Sequence, residues 1–247
     1  MLKIVFFVLF IILNIQASTI NVALASNVTY AFDKLVLKFN ETNPNIKINK
    51  TISSSGKLTS QIVASAPYDM FLSANMKYVN YLYEKKLCIT KPIVYAKGTL
   101  SLLSTKKRDF SKGLDILNSP KIRRIAIAND KTAPYGYATK ELLEKLKLYT
   151  KLKSKFIFGE SIGQTLFYTL SAVDIGFVAT SSLKSKKLKH LKQNINYIKV
   201  PLKLYSPINQ GLVILNKAKG NNDVKKFYDF LQSKSAKKIF KEFGYIL

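Results

Sequence analysis

Short apolar runs alternate with stretches of helical period along almost the whole chain, and this alternation most constrains the fold. "TINVALA" is short, apolar and partly β-branched, which reads as a strand. Ser26 and Asn27 follow as a polar turn, and Ala31, Leu35 and Phe39 then recur at i, i+4 and i+8, on one face of a helix. The pattern repeats. "PNIKINKTIS" alternates at period two through Ile46, Ile48, Lys50 and Ile52, and runs into serines that open a second helix, "KLTSQIVASA". "YDMFLSA" predicts a third strand, and "MKYVNYLYEKK", with Tyr78, Tyr81 and Leu82 as its core stripe, a third helix. Beyond residue 98, "TLSLLST" and "RRIAIAN" read as strands, followed by helix "GYATKELLEKLKLY", strand "KFIFG", helix "IGQTLFYTLSA" and strand "DIGFVA". "NQGLVILN" closes the series as a strand before a pair of C-terminal helices. Strands that alternate with helices predict α/β units on mainly parallel sheets.

The 247 residues fit one large domain or two of roughly 100 to 120 residues. The N-terminus, MLKIVFFVLFIILNIQAS, carries one lysine, an apolar run from Ile4 to Leu13 and then small residues. Ten apolar residues are too few for a hydrocarbon core that needs about 20, but they suit the central region of a secretory signal. Residues 1–17 are therefore expected to be a signal peptide, with export of the rest to the periplasm. Losing them removes Lys3 and no acidic group, so the charge falls from +26 to +25.

Such a surplus points to nucleic acid, an anionic surface or an acidic partner, unless it is only a solvated exterior. The lysines are dispersed along the chain with only three arginines among them, which favours the solvated exterior. Cys88 is the sole cysteine, so no intrachain disulfide forms and no thiol metal site is available; its apolar neighbours give it the character of a buried hydrophobe. His190 is the sole histidine and lies in "KKLKHLK", which reads as a solvated helix face. Serine-histidine hydrolysis and multi-histidine metal chemistry are thereby disfavoured, and no enzyme is expected.

In open α/β sheets ligands bind beyond the carboxyl ends of the strands, where turns lead into helices. Those turns read "ASN" (25–27), "SSSGK" (53–57), "DKTAPYG" (130–136) and "GESIG" (159–163). Hydroxyl residues and glycine recur in them, and none contains arginine. Helix N-termini offer unpaired N–H groups and a positive dipole end, so several in one cleft make an anion site without a cationic side chain. An ordinary N-cap explains any one of these serines equally well.

The residues "VALASNVTYAFDKL", "SSSGKLTSQIVASAPYDMFLSANMKYVNYL", "IAIANDKTAPYGYATKELLEKL", "VDIGFVATSSL" and "VKKFYDFLQSKSAKKIFKEFGYIL" are together similar to the periplasmic molybdate-binding proteins of ABC transporters. The run from the serines through "APYDMFLSA" is the most specific part. The resemblance implies a two-lobed α/β fold of the periplasmic-binding-protein class II type, each lobe a mainly parallel sheet flanked by helices, hinged with two crossovers. Lobe one is then 18–96 plus 204–247, and lobe two 97–203. The implied ligand is molybdate or tungstate, with no cofactor and no metal bound directly by side chains. A membrane permease is the implied partner, nucleic acid is not, and a monomer is the expected state.

Position by position, the resemblance assigns oxyanion donors to Ser26 and Ser55 through hydroxyl and N–H, and to Tyr135 and Ile162 through backbone N–H. The family often has a further donor, a tyrosine, where this chain has Ala179. Thr180, Ser181 and the Tyr135 hydroxyl are candidates to replace it, and a water is another. Asp69, Asp174 and Glu160 are read as structural, because a carboxylate beside a dianion repels it. Sulfate is the alternative ligand. A basic secreted protein that binds polyanions or membrane surfaces is the alternative from another class, and "KYVNYLYEKK" is its best support.

Overall fold

The computed structural model describes residues 18–247. The expected signal peptide, 1–17, lies outside the described residues, and no helix among those described is long and apolar enough to cross a membrane. The chain begins with β1 (Ser18–Ala25), α1 (Thr29–Asn40), β2 (Ile46–Ser53), α2 (Ser55–Val63), β3 (Met70–Ser73), α3 (Met76–Glu84) and β4 (Ile93–Gly98). It continues through β5 (Leu100–Leu103), β6 (Ile125–Ala128), α4 (Pro134–Lys145), the single-turn α5 (Tyr149–Leu152), β7 (Phe156–Gly159), α6 (Ile162–Ser171), β8 (Ile175–Ala179) and β9 (Tyr197–Lys199). β10 (Ile208–Ile214), α7 (Asn222–Gln232) and α8 (Lys234–Glu242) complete it.

These strands form two five-stranded sheets, ordered β2-β1-β3-β10-β4 and β7-β6-β8-β5-β9. In the first, β1 is parallel to β2 and β3, while β10 is antiparallel to both its neighbours. In the second, β6 is parallel to β7 and β8, while β5 is antiparallel to both of its own. Each sheet therefore has four strands in one direction and one reversed, and the reversed strands are the first that the chain lays down after changing sheets. Short βα units cannot make such a reversed strand; a crossing between sheets can.

The chain changes sheets at Thr99, since β4 stays paired with β10 through Gly98. The expected boundary at 96/97 thus falls inside a strand of the first sheet. The return path lies between β9 and β10. Gly98 is required where it stands, because a Cβ there would lie 2.1 Å from the Tyr135 hydroxyl.

The two cores have separate origins. In the first, the period-four stripe Ala31, Leu35 and Phe39 is buried with Phe32 against α7 and α8. There the Phe39 and Phe227 rings meet edge to face at 4.9 Å, an arrangement that adds about 0.5–1.5 kcal/mol to burial itself. In the second, Ile125, Ile127, Leu142, Leu143 and Phe177 pack the sheet against α4. α3 departs from expectation: Val79 and Leu82 are its buried residues, while Tyr81 and Tyr83 are exposed. Its contact face against β3 and β10 is narrower than the aromatic spacing suggested: Tyr78 packs partly buried at its edge, and Tyr81 is left outside it. "KKLKHLK" holds only one turn of 3-10 helix, Lys186–Leu188, with His190 exposed beyond it.

Cys88 is buried, and desolvation pushes its thiol up to about 11, consistent with an inert hydrophobe. Asp69 accepts from the Asn21 N–H at 2.7 Å and faces Lys217 at 3.8 Å. Asp174 accepts from the N–H groups of Arg123 and Arg124 at 2.9 and 3.0 Å. Burial works to raise the Asp174 carboxyl, but those N–H donors and the Arg108 charge prevail and hold it below the usual carboxylate range.

Candidate functional site

Five strand-to-helix turns converge on one cavity, three from the first sheet and two from the second. Ala25, Ser26 and Asn27 come from the end of β1, and Ser53, Ser54 and Ser55 from the β2–α2 junction. Ala133, Pro134 and Tyr135 come from the start of α4, Ile162 from the start of α6, and Ala74 follows β3. The cavity is small, about 10 Å³, far below the roughly 300–1,000 Å³ of drug-sized ligand clefts. None of its lining residues is ionised at neutral pH, and among the described residues no cluster of three or more His, Cys, Asp or Glu is arranged to hold a metal.

Local sequence explains the donors. α2, α4 and α6 each direct an N-terminus at the cavity, and first-turn N–H groups have no partner within their own helix. Pro134 opens α4, where the missing N–H costs nothing. The Ser55 hydroxyl accepts from the Ala74 N–H at 2.9 Å, and the Ser26 hydroxyl accepts from the Gly163 N–H at 3.1 Å. With a lone pair of each oxygen engaged, each hydroxyl keeps its proton to donate.

Ser26, Ser55, Tyr135 and Ile162 thus line the same cavity. Thr180 and Ser181 do not. The Thr180 hydroxyl lies 3.0 Å from the Thr99 carbonyl and 2.8 Å from the Ser101 hydroxyl, and Ser181 donates to the Asn27 carbonyl at 2.8 Å. β8 ends at Ala179, outside the cavity lining, and the Thr180 N–H donates to the Thr99 carbonyl at the crossing between sheets. The Tyr135 hydroxyl is likewise diverted: it lies 3.4 Å from the Asn27 amide nitrogen, on the Gly98 side. Burial, reinforced by Tyr245 and Tyr95, holds this phenol well above the usual tyrosine range.

Sequence reasoning passed over Asn27 and Ser54. Asn27 ties the two lobes and the C-terminus together. Its amide donates to Gln210 at 2.8 Å and to Tyr245 at 3.0 Å, and its carbonyl accepts from Tyr245 and from Ser181, each at 2.8 Å. Tyr245 reaches this point because Ile246 pairs with Lys97 of β4. Only the position of Asn27 in the "ASN" turn pointed to it.

The lobes also meet at the cavity rim. The Gly56 N–H donates to the Thr132 carbonyl at 2.9 Å, and Lys57 pairs with Glu160 at 2.5 Å with both side chains about half exposed. Glu160 is therefore a rim residue with a cationic partner.

Two α/β lobes, joined by a crossing and a return and meeting over a small cavity of neutral donors, define a solute-binding protein of the hinged kind. The chain belongs to the bacterial extracellular solute-binding protein family, whose sequence profile matches residues 20–246. It is accordingly a binding protein and not an enzyme. It is 33% identical over 233 residues to the molybdate-binding protein ModA of Azotobacter vinelandii, covering 93% of this chain and 90% of that protein. It is 29% identical over 232 residues to ModA of Rhodobacter capsulatus, covering 93% and 89%. The solved periplasmic molybdate-binding protein of Azotobacter vinelandii superposes with a TM-score of 0.86 at 29% identity, over 92% of this chain and 99% of that one.

Proposed function

We propose that this protein is the molybdate-binding component of an ABC transporter: it captures molybdate, and tungstate with it, between its lobes and delivers it to a membrane permease. The observation that carries this reading is the buried cavity whose donors are all neutral and come from turns of both lobes. A desolvated dianion needs donors on every side and no carboxylate near it, and helix N-termini with serine hydroxyls supply that. Ser26 and Ser55 donate through hydroxyl and main chain, and Tyr135 and Ile162 through main chain alone. The lobes open and close about the crossing at Thr99 and the return before β10, with 18–98 plus the β10-to-C-terminus segment as one body. We place the mature protein in the periplasm as a monomer, without a cofactor.

The test is a thermal-shift titration of residues 18–247 with molybdate, tungstate, sulfate and phosphate at fixed ionic strength. A ligand that binds only the folded state raises the melting temperature by mass action. A shift with micromolar molybdate or tungstate and none with sulfate supports the reading. A response to sulfate alone replaces the ligand, and silence from all four overturns the reading.

A further inference from the structure

Ser54 occupies the N-cap position of α2, yet its side chain makes no capping hydrogen bond. A serine there ordinarily accepts from the N–H two or three residues on, which here means Gly56 or Lys57. The Gly56 N–H is already taken by the Thr132 carbonyl, which comes across from the other lobe. The hydroxyl is left without its customary role. Ser54 is 3% exposed, its Oγ is fully buried, and among the described residues that oxygen has no hydrogen-bond partner. Ser54 also lines the cavity between Ser53 and Ser55.

A buried hydroxyl with no partner is costly, and such groups are rare in native proteins unless a ligand or water completes them. The cavity that Ser54 lines is unfilled polar space beside this hydroxyl. From these observations we infer that Ser54 is a further hydroxyl donor to the bound oxyanion, and that lobe closure frees it. With the lobes apart, the Gly56 N–H loses Thr132 and the Ser54 oxygen serves as an ordinary cap. With the lobes together, Thr132 takes that N–H and the hydroxyl turns to the anion. The inference rests on the oxyanion-binding reading above, and it accounts for three consecutive serines where two would complete the turn.

The test compares Ser54→Ala and Ser54→Thr with the wild-type chain, measuring molybdate affinity by calorimetry and apo melting temperature in parallel. Ser54→Ala is expected to bind about ten- to a hundredfold more weakly, because a donor to a charged group is lost. Ser54→Thr, which keeps the hydroxyl, is expected to recover most of the affinity. Unchanged affinity in Ser54→Ala overturns the inference while leaving oxyanion binding intact, and so does a fall in apo melting temperature with no change in affinity, which would make Ser54 a cap only. A wild-type chain that binds no oxyanion overturns the binding reading and the inference together.

Discussion

The two lobes face the same cavity with different chemistry. On the proposed reading the first presents hydroxyls, those of Ser26, Ser54 and Ser55, as well as main chain, each next to the N-terminus of a helix. On the same reading the second presents main chain alone, at Tyr135 and Ile162, while the side chain of Tyr135 turns away toward Asn27 and Gly98. Residue identity therefore matters at the cavity positions of the first lobe, and backbone path matters at those of the second.

Breaking the contact between the lobes should have the largest effect. A Cβ at Gly56 would lie 2.9 Å from the Thr132 carbonyl oxygen, a backbone atom that cannot yield easily. Gly56→Val is expected to lower molybdate affinity by about a hundredfold or more, since closure is blocked. Its apo melting temperature should change little, because the clash exists only with the lobes together. Small-angle scattering with saturating molybdate should then show an extended particle where the wild type is compact.

Ser55→Ala comes next. Affinity should fall by about tenfold or more, as expected for a lost donor to a charged group. Unlike Gly56→Val, it should also destabilise the apo protein, by about 1–3 kcal/mol, because the Ala74 N–H is left buried without an acceptor. Denaturant unfolding with and without molybdate separates the two effects.

Ile162→Val sharpens the comparison from the other side. The donor is main chain, so affinity should stay within about threefold, while stability falls by about 0.5–1.5 kcal/mol for the lost methylene. A tenfold loss of affinity would show that the side chains of the second lobe also matter.

The smallest effects belong to charge. Lys57→Ala is expected to change affinity by less than about threefold, since the pair with Glu160 is half exposed and screened. Affinity should also be flat between about pH 6 and 9. Tyr135 is the one titratable side chain lining the cavity, and its phenol is raised, so it remains neutral throughout that range. A step in the calorimetric pH profile would reveal a titrating group that the cavity lining lacks.

Much of this was legible before any tertiary information. The period-two and period-four patterns located most strands and helices, and the turn residues between them marked the cavity, because local propensity and helix capping are short-range effects. The lobe boundary was placed at 96/97, inside β4, and β9 was missed, since a three-residue edge strand at Tyr197–Lys199 carries no periodicity of its own. Thr180 and Ser181 stood beside the missing tyrosine in sequence, but their hydroxyls are taken by Thr99, Ser101 and Asn27, all more than 70 residues away along the chain.

The sequence by itself determined the α/β alternation, the absence of a histidine or cysteine cluster, and the serine and glycine content of the turns. Each of these depends on residues close together in the chain or on composition alone. Only the tertiary structure decided which turns share a cavity, which hydroxyls remain free to donate and where the Tyr135 phenol points. Those outcomes depend on how far-separated groups compete for the same hydrogen bonds. At Ser54, the competitor for the Gly56 N–H is a carbonyl 78 residues downstream of the serine, on the opposite lobe.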